Sequence, residues 1–176
     1  MSVLVLVGLV LFGACGRSRK AQEPVPGAPI SVTVSSAAFA DGAAIPPQYS
    51  CDGSGARPPI AWGEVPAATK SIAIVVDDPD APSGTFVHWT AWGFDPSAHA
   101  ATGAVHEGAH SGGGRGWTPP CPPKGAAAHH YRFFVYALRH RLPVNDGASP
   151  DSVRAAIAAA APLARGELTA TYQRAR

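Results

Sequence analysis

Asp78, His88, His129 and Tyr131 each stand at the end of a segment that alternates like a β-strand. Two imidazoles and a phenol hydroxyl offer donors that can converge on the oxygens of a phosphate-like anion. A carboxylate beside them can orient one imidazole and hold it protonated, because a nearby negative charge favours the charged ring. The set includes no Lys or Arg cluster, so the binding it suggests is modest. Two other chemistries use the same residues. His88, His129 and Asp78 form a two-His-one-carboxylate set of metal-ligand types. Cys121 with His129 or His88 and Asp78 has the residue types of a thiol hydrolase, which requires a free Cys121.

The segments that hold these side chains are legible in the pattern. In Ser71–Asp78, the residues Ile72, Ile74, Val76 and Asp78 share one side, and Ser71, Ala73, Val75 and Asp77 the other. Pro79 forces Asp78 into an extended conformation and Pro82 tightens the turn that follows. On the next strand His88 falls in phase with Phe86, Thr90 and Trp92. His129–Leu138 is a second strong strand, with His129, Tyr131, Phe133 and Val135 on one face and Arg132, Phe134, Tyr136 and Leu138 on the other. Both faces are apolar beyond its start, as suits a central strand covered on both sides.

Around this pair the chain is turn-rich: charged residues are 15% of it, with 19 Gly and 18 Pro. That composition fits short strands joined by many turns, and 176 residues suffice for one well-formed core. Ile30–Val34 alternates and starts the fold, Ile60 and Trp62 enter the core, and Glu167–Gln173 closes it. Ser149 caps a helix that runs to Ala161 and stops before Pro162. Asp95–Ala128 shows no period and reads as a long loop pinned by Trp117 and the Pro119–Pro123 run. His99, His106 and His110 receive no role. The net charge is +2, and no basic block extends beyond Arg17–Lys20. No nucleic-acid partner is expected.

The first fourteen residues are an apolar run too short to span a bilayer, with the length of a signal-peptide core. Gly13-Ala14-Cys15 resembles a lipobox, which makes Cys15 the lipidated first residue of a mature lipoprotein. Two features depart from that pattern: Phe12 stands where leucine is usual, and no Lys or Arg precedes the run. The expected organisation is a lipoprotein signal at 1–14, a flexible tether at 15–29 and one domain at 30–176. The lipid would hold the protein at a membrane of the cell envelope, facing the periplasm from an outer membrane. Without lipidation the protein would be secreted.

Several motifs occur in an order that resembles the bacterial branch of the phosphatidylethanolamine-binding proteins, also called Raf-kinase-inhibitor-like proteins. They are Cys51-Asp-Gly with Pro58-Pro-Ile-Ala-Trp62, Val75-Val-Asp-Asp-Pro-Asp-Ala-Pro82, Thr85-Phe-Val-His-Trp89, Pro120-Cys-Pro-Pro-Lys124, His129-x-Tyr131 and Gly166-Glu-Leu with Tyr172. The resemblance implies a mainly β, two-sheet antiparallel sandwich with one C-terminal helix and long loops. It also implies a small anion pocket lined by Asp78, His88, His129 and Tyr131, with Pro123 as a wall. The function so implied is non-catalytic binding of a small anion or phosphate-bearing headgroup, with no cofactor; a homodimer is left open. The chain departs from the family pattern at His130, where Arg is usual, and at Gly93-Phe-Asp95. It departs again at Arg57 and Pro119, which replace Ser and Gly near the pocket rim. Of its three cysteines, Cys15 is assigned to lipid, which leaves Cys51 and Cys121 in loops of an exported protein. These two are expected to form a disulfide.

Overall fold

The computed structural model describes residues 26–103 and 105–176. The expected signal, Cys15 and most of the tether lie outside them. Eight strands and one helix follow in order: β1 (Ile30–Ser31), β2 (Val34–Ser35), β3 (Ala61–Trp62), β4 (Ser71–Asp78), β5 (Phe86–Phe94), β6 (His106–Glu107), β7 (His129–Leu138), α1 (Pro150–Ala159) and β8 (Ala164–Tyr172). Six strands form one sheet in the order β1-β8-β7-β4-β5-β6, and β2 and β3 form a small second sheet. Pairing is antiparallel except between β1 and β8, which run parallel. The fold is thus mainly β with two unequal sheets, and that one parallel pair departs from the all-antiparallel expectation.

β4 is buried along its whole length, and its two faces meet different layers. Ile72, Ile74 and Val76 pack with Phe133, Val135, Val34, Ile60 and Trp62, on the side of the small sheet. Ala73 and Val75 pack with Phe134, Tyr136, Val153 and Ile157, on the side of α1. The helix begins as its sequence dictates: Ser149 Oγ accepts from the Ser152 amide at 3.2 Å, and Pro150 opens it. It ends two residues earlier than expected, at Ala159, where Ala161 turns left-handed (φ 44°).

The predicted Ile30–Val34 strand is divided between the sheets. The Val32 amide still bonds to the Arg165 carbonyl at 3.0 Å, while the Thr33 carbonyl accepts from Gly63 beside β3 at 2.9 Å. The chain therefore crosses from one layer to the other at Val32–Thr33. Gly166 permits the crossing, since a Cβ there would lie 2.1 Å from the Val32 carbonyl oxygen.

β5 carries two irregularities that alternation does not reveal. Trp89 faces Val76 but Val87 faces Asp77, which leaves His88 as an extra residue in a bulge. Phe94 faces Ile72 but Trp92 faces Ala73, with Gly93 (φ 92°) between them. As a result His88 is not in phase with Thr90 and Trp92. Trp89, Ala91 and Phe94 join the small-sheet side, and Trp92 joins the helix side. The 95–128 stretch is mostly loop, but within it β6 pairs with the outer edge of β5, Glu107 opposite Ala91.

Candidate functional site

β4 and β7 are antiparallel neighbours, so the end of one lies beside the start of the other. That puts Asp78 next to His129, and the Asp78 Oδ2 to His129 Nδ1 distance is 2.7 Å. Both side chains are more than nine-tenths buried. The Asp80 amide donates to Asp78 Oδ1 at 2.8 Å, so the turn set by Pro79 fixes the second carboxylate oxygen. No hydrogen bond to His129 Nε2 occurs among the described residues.

The bulge in β5 turns His88 toward the same place. Its ring centroid lies 5.2 Å from that of Tyr131, nearly edge-on, and 4.8 Å from that of Phe86. His88 Nδ1 is 2.9 Å from the Thr118 carbonyl oxygen. A carbonyl only accepts, so Nδ1 carries the hydrogen and Nε2 keeps the lone pair of the neutral ring. Burial pulls the His88 pKa below the ordinary histidine value, outweighing the Thr118 carbonyl and the Asp78 charge. Asp78 still pushes the His88 titration up, as expected, but burial outweighs it. Asp78 is committed to His129.

Tyr131 is fully buried, and its hydroxyl finds no hydrogen-bond partner of good geometry among the described residues. Burial, followed by the charge and the hydrogen-bonding reach of Asp78, pushes its pKa far up, so it remains a neutral hydroxyl; Asp78 is near, but not aligned for a good hydrogen bond. A buried polar group normally has a partner, and leaving one without costs about 1–3 kcal/mol. Here the unsatisfied hydroxyl sits among two rings and a carboxylate.

The 95–128 loop supplies the expected pins at Trp117 and Cys121 and one support that sequence reasoning missed, Thr118. Thr118 holds His88 twice, through the ring bond and through its amide to the His88 carbonyl at 3.0 Å. Trp117 packs 6.4 Å from the His88 ring and donates from Nε1 to the Gly55 carbonyl at 3.0 Å. The Cys51–Cys121 disulfide is present, with the Cys51 amide bonded to the Pro120 carbonyl at 3.0 Å. Pro122 is buried and Pro123 exposed. At the rim, Asp80 Oδ2 accepts from the His130 amide at 2.8 Å and lies 2.7 Å from His130 Nδ1. Partial burial opposes the charge on Asp80, but the His130 bonds hold its pKa below the usual value. The Asp-Pro-Asp spacing was the available signal for Asp80. Arg57 turns its guanidinium onto Trp89, 4.2 Å from the ring, and toward Glu107 at 3.8 Å.

Two alternatives are corrected by this geometry. Cys121 is bonded to Cys51 and offers no thiolate, so the thiol-hydrolase reading has no nucleophile. Among the described residues no group of three His, Cys, Asp or Glu is arranged to hold a metal ion. The carboxylate of the supposed metal set is already bonded to one of its histidines.

The same arrangement has relatives. Residues 35–173 match the family model described as phosphatidylethanolamine-binding protein. A Mycobacterium tuberculosis protein carrying the lipoprotein name LppC is 42% identical over 158 residues, covering 87% of this chain and 77% of that protein. The UPF0098 protein PH1269 of Pyrococcus horikoshii is 37% identical over 185 residues, covering 99% and 87%. Among solved structures, a Chlamydia trachomatis protein titled as a homologue of this family, CT736, superposes with a TM-score of 0.76 at 33% identity, covering 82% of this chain and 98% of that one. YbcL of E. coli gives 0.75 at 28% identity, covering 81% and 98%.

Proposed function

We propose that this chain, which belongs to the phosphatidylethanolamine-binding protein family, is a cell-envelope lipoprotein that binds a small phosphate-like anion without catalysis. The observation that carries the reading is the fully buried Tyr131 hydroxyl, which makes no hydrogen bond of good geometry and has only the Asp78 carboxylate close by, set beside His88 and His129. An oxyanion oxygen is the partner it lacks. His129, oriented by Asp78, has Nε2 left for a second ligand oxygen. His88 enters in one of two ways. Its neutral Nε2 accepts from a ligand P–OH, or it takes up a proton and donates to an unprotonated oxygen. The envelope location follows from the Gly-Ala-Cys15 motif and from the lipoprotein name of the LppC relative.

The pH dependence has a definite sign. A bound oxyanion favours protonated His88, so the His88 pKa is higher in the complex than in the free protein. Affinity is then greatest at low pH and falls as pH rises through the bound-state value. Because burial lowers the free value, the full gain is reached only below the ordinary histidine value of about 6.5. NMR titration of the full chain with inorganic phosphate and with phosphoethanolamine, from about pH 5 to 8, tests this. His88→Ala and His129→Ala should each weaken binding by roughly tenfold to a hundredfold, the worth of one charge-assisted hydrogen bond. Affinity that is flat with pH and indifferent to both substitutions would place the ligand elsewhere.

Tyr131→Phe separates function from stability. Deleting an unpaired buried hydroxyl removes a desolvation cost, so the variant should be about 1 kcal/mol more stable by urea denaturation while losing affinity. A variant that is destabilised would show that the hydroxyl is satisfied within the fold.

A further inference from the structure

The geometry points to a membrane-facing end: Lys70, Arg139 and Arg141 form a docking surface for anionic lipid headgroups, at the end of the sheet opposite the ligand pocket. β7 runs from His129 at the pocket to Leu138, and its ten residues span about 30 Å. Arg139-His140-Arg141 follows at once, and all three residues are exposed. The exposed Lys70 joins them, because its amide donates to the Leu138 carbonyl at 2.8 Å. The ion pairs of the described residues leave Lys70, Arg139 and Arg141 without a carboxylate partner. Leu142 is buried in the helix-side core and anchors the run. Asp146, five residues after Arg141, is paired with His106 and Arg115, and Glu64 and Asp95 lie on the loops after β3 and β5. Those loops belong to the small-sheet side, away from the helix side onto which Leu142 anchors the basic run.

The path of the chain into the domain supports a membrane as the partner. β1 pairs in parallel with β8, Ile30 opposite Ala164, and Ala164 lies opposite Ala137 on β7. The chain therefore enters the domain at the basic end. Residues 15–29 reach at most about 50 Å when extended and roughly 20 Å on average when flexible. A lipid on Cys15 holds this end against the bilayer and leaves the pocket open on the far side. The direction of the tether rests on the anchoring reading above; the charge of the patch does not.

Each Lys or Arg held at an anionic surface favours partitioning by about fivefold, so three give roughly a hundredfold. The three lysines of the chain provide a built-in ruler: Lys20 in the tether, Lys70 in the patch and Lys124 in the loop at the pocket end. The lipidated protein is placed on vesicles of phosphatidylcholine alone or with about 30% phosphatidylglycerol, and lysine acylation rates are read by mass spectrometry. With the anionic lipid, Lys70 should slow at least tenfold relative to Lys124. The protection should vanish in 1 M NaCl, where the screening length is about 3 Å, and in the R139E/R141E variant. Intact mass reports acylation of Cys15 separately. An acylated protein whose Lys70 and Lys124 react alike on both vesicles overturns the docking surface and leaves the anchor standing. If no acyl mass is found, the anchoring reading fails. The patch is then read from the partitioning of the unlipidated chain, where R139E/R141E should lose at least tenfold on the anionic vesicles. Equal partitioning of the two chains overturns the proposal.

Discussion

Asp77→Ala should destabilise the domain by about 3–5 kcal/mol, a large share of the 5–15 kcal/mol typical of a folded domain. Asp77 is fully buried on the helix side of β4. Arg132 reaches both its oxygens, Nε to Oδ1 at 2.8 Å and Nη2 to Oδ2 at 3.1 Å. Arg154 of α1 donates to Oδ2 as well, at 2.5 Å. The carboxylate thus pairs with two guanidinium groups whose side chains are 19% and 7% exposed. Alanine leaves both in a poorly hydrated site, and Arg154 Nε already has no partner. Stranded buried charge, rather than the lost attraction, is the source of the cost. Urea denaturation should show the midpoint falling with the slope unchanged. Arg154→Met, which removes one cation and keeps the packing volume, should cost much less. A loss below about 1 kcal/mol for Asp77→Ala would mean that water reaches the cluster.

That cluster shows where sequence reading stops. The pattern placed Asp77 on the face opposite Asp78, and Arg132 on the helix-side face of its own strand, which is correct. It did not show that register sets Asp77 beside Arg132, or that a helix 77 residues later supplies Arg154. Strand alternation is a local property and is readable; register and helix docking are not. The split of Ile30–Val34 follows the same rule. Five alternating residues read as one strand, and only their pairing, with the close approach at Gly166, shows that two sheets share them.

The clustering of the candidate site's side chains was legible for a related reason. Asp78, His129 and Tyr131 sit at ends of strands whose alternation is unbroken, so phase alone put them on one face. His88 arrived by a different route. Phase placed it with Thr90 and Trp92, whereas a bulge separates it from both and seats it against Tyr131. A bulge leaves no mark in a hydrophobic pattern. The neutral state of His88 was equally hidden, because it comes from burial, and its tautomer depends on the Thr118 carbonyl thirty residues away. Loop carbonyls have no sequence signature.

Removing the disulfide is expected to cost about 4 kcal/mol and to weaken the ligand site as well. Cys51 and Cys121 are 70 residues apart, and closing a loop of that length restricts the unfolded chain by roughly 4 kcal/mol in the chain-entropy treatment. The functional part of the effect comes from position. The bridge joins the Cys51 turn to the Pro120–Pro122 run, and the neighbouring bond from Trp117 Nε1 to the Gly55 carbonyl ties the same two segments. Between them lies Thr118, the residue that fixes the tautomer of His88. Loosening the loop frees the His88 ring to rotate and to exchange its Nδ1 partner for water. The Cys51→Ala/Cys121→Ala variant, compared with the oxidised protein, should therefore lose stability in urea and weaken phosphate binding severalfold. Tyr131→Phe should do the reverse for stability. Adding reductant to the wild type should reproduce both losses and leave the double variant unchanged. A double variant that keeps full affinity while losing stability would show that Pro120 and Trp117 hold Thr118 without the bridge, which would confine the disulfide to stabilising the fold.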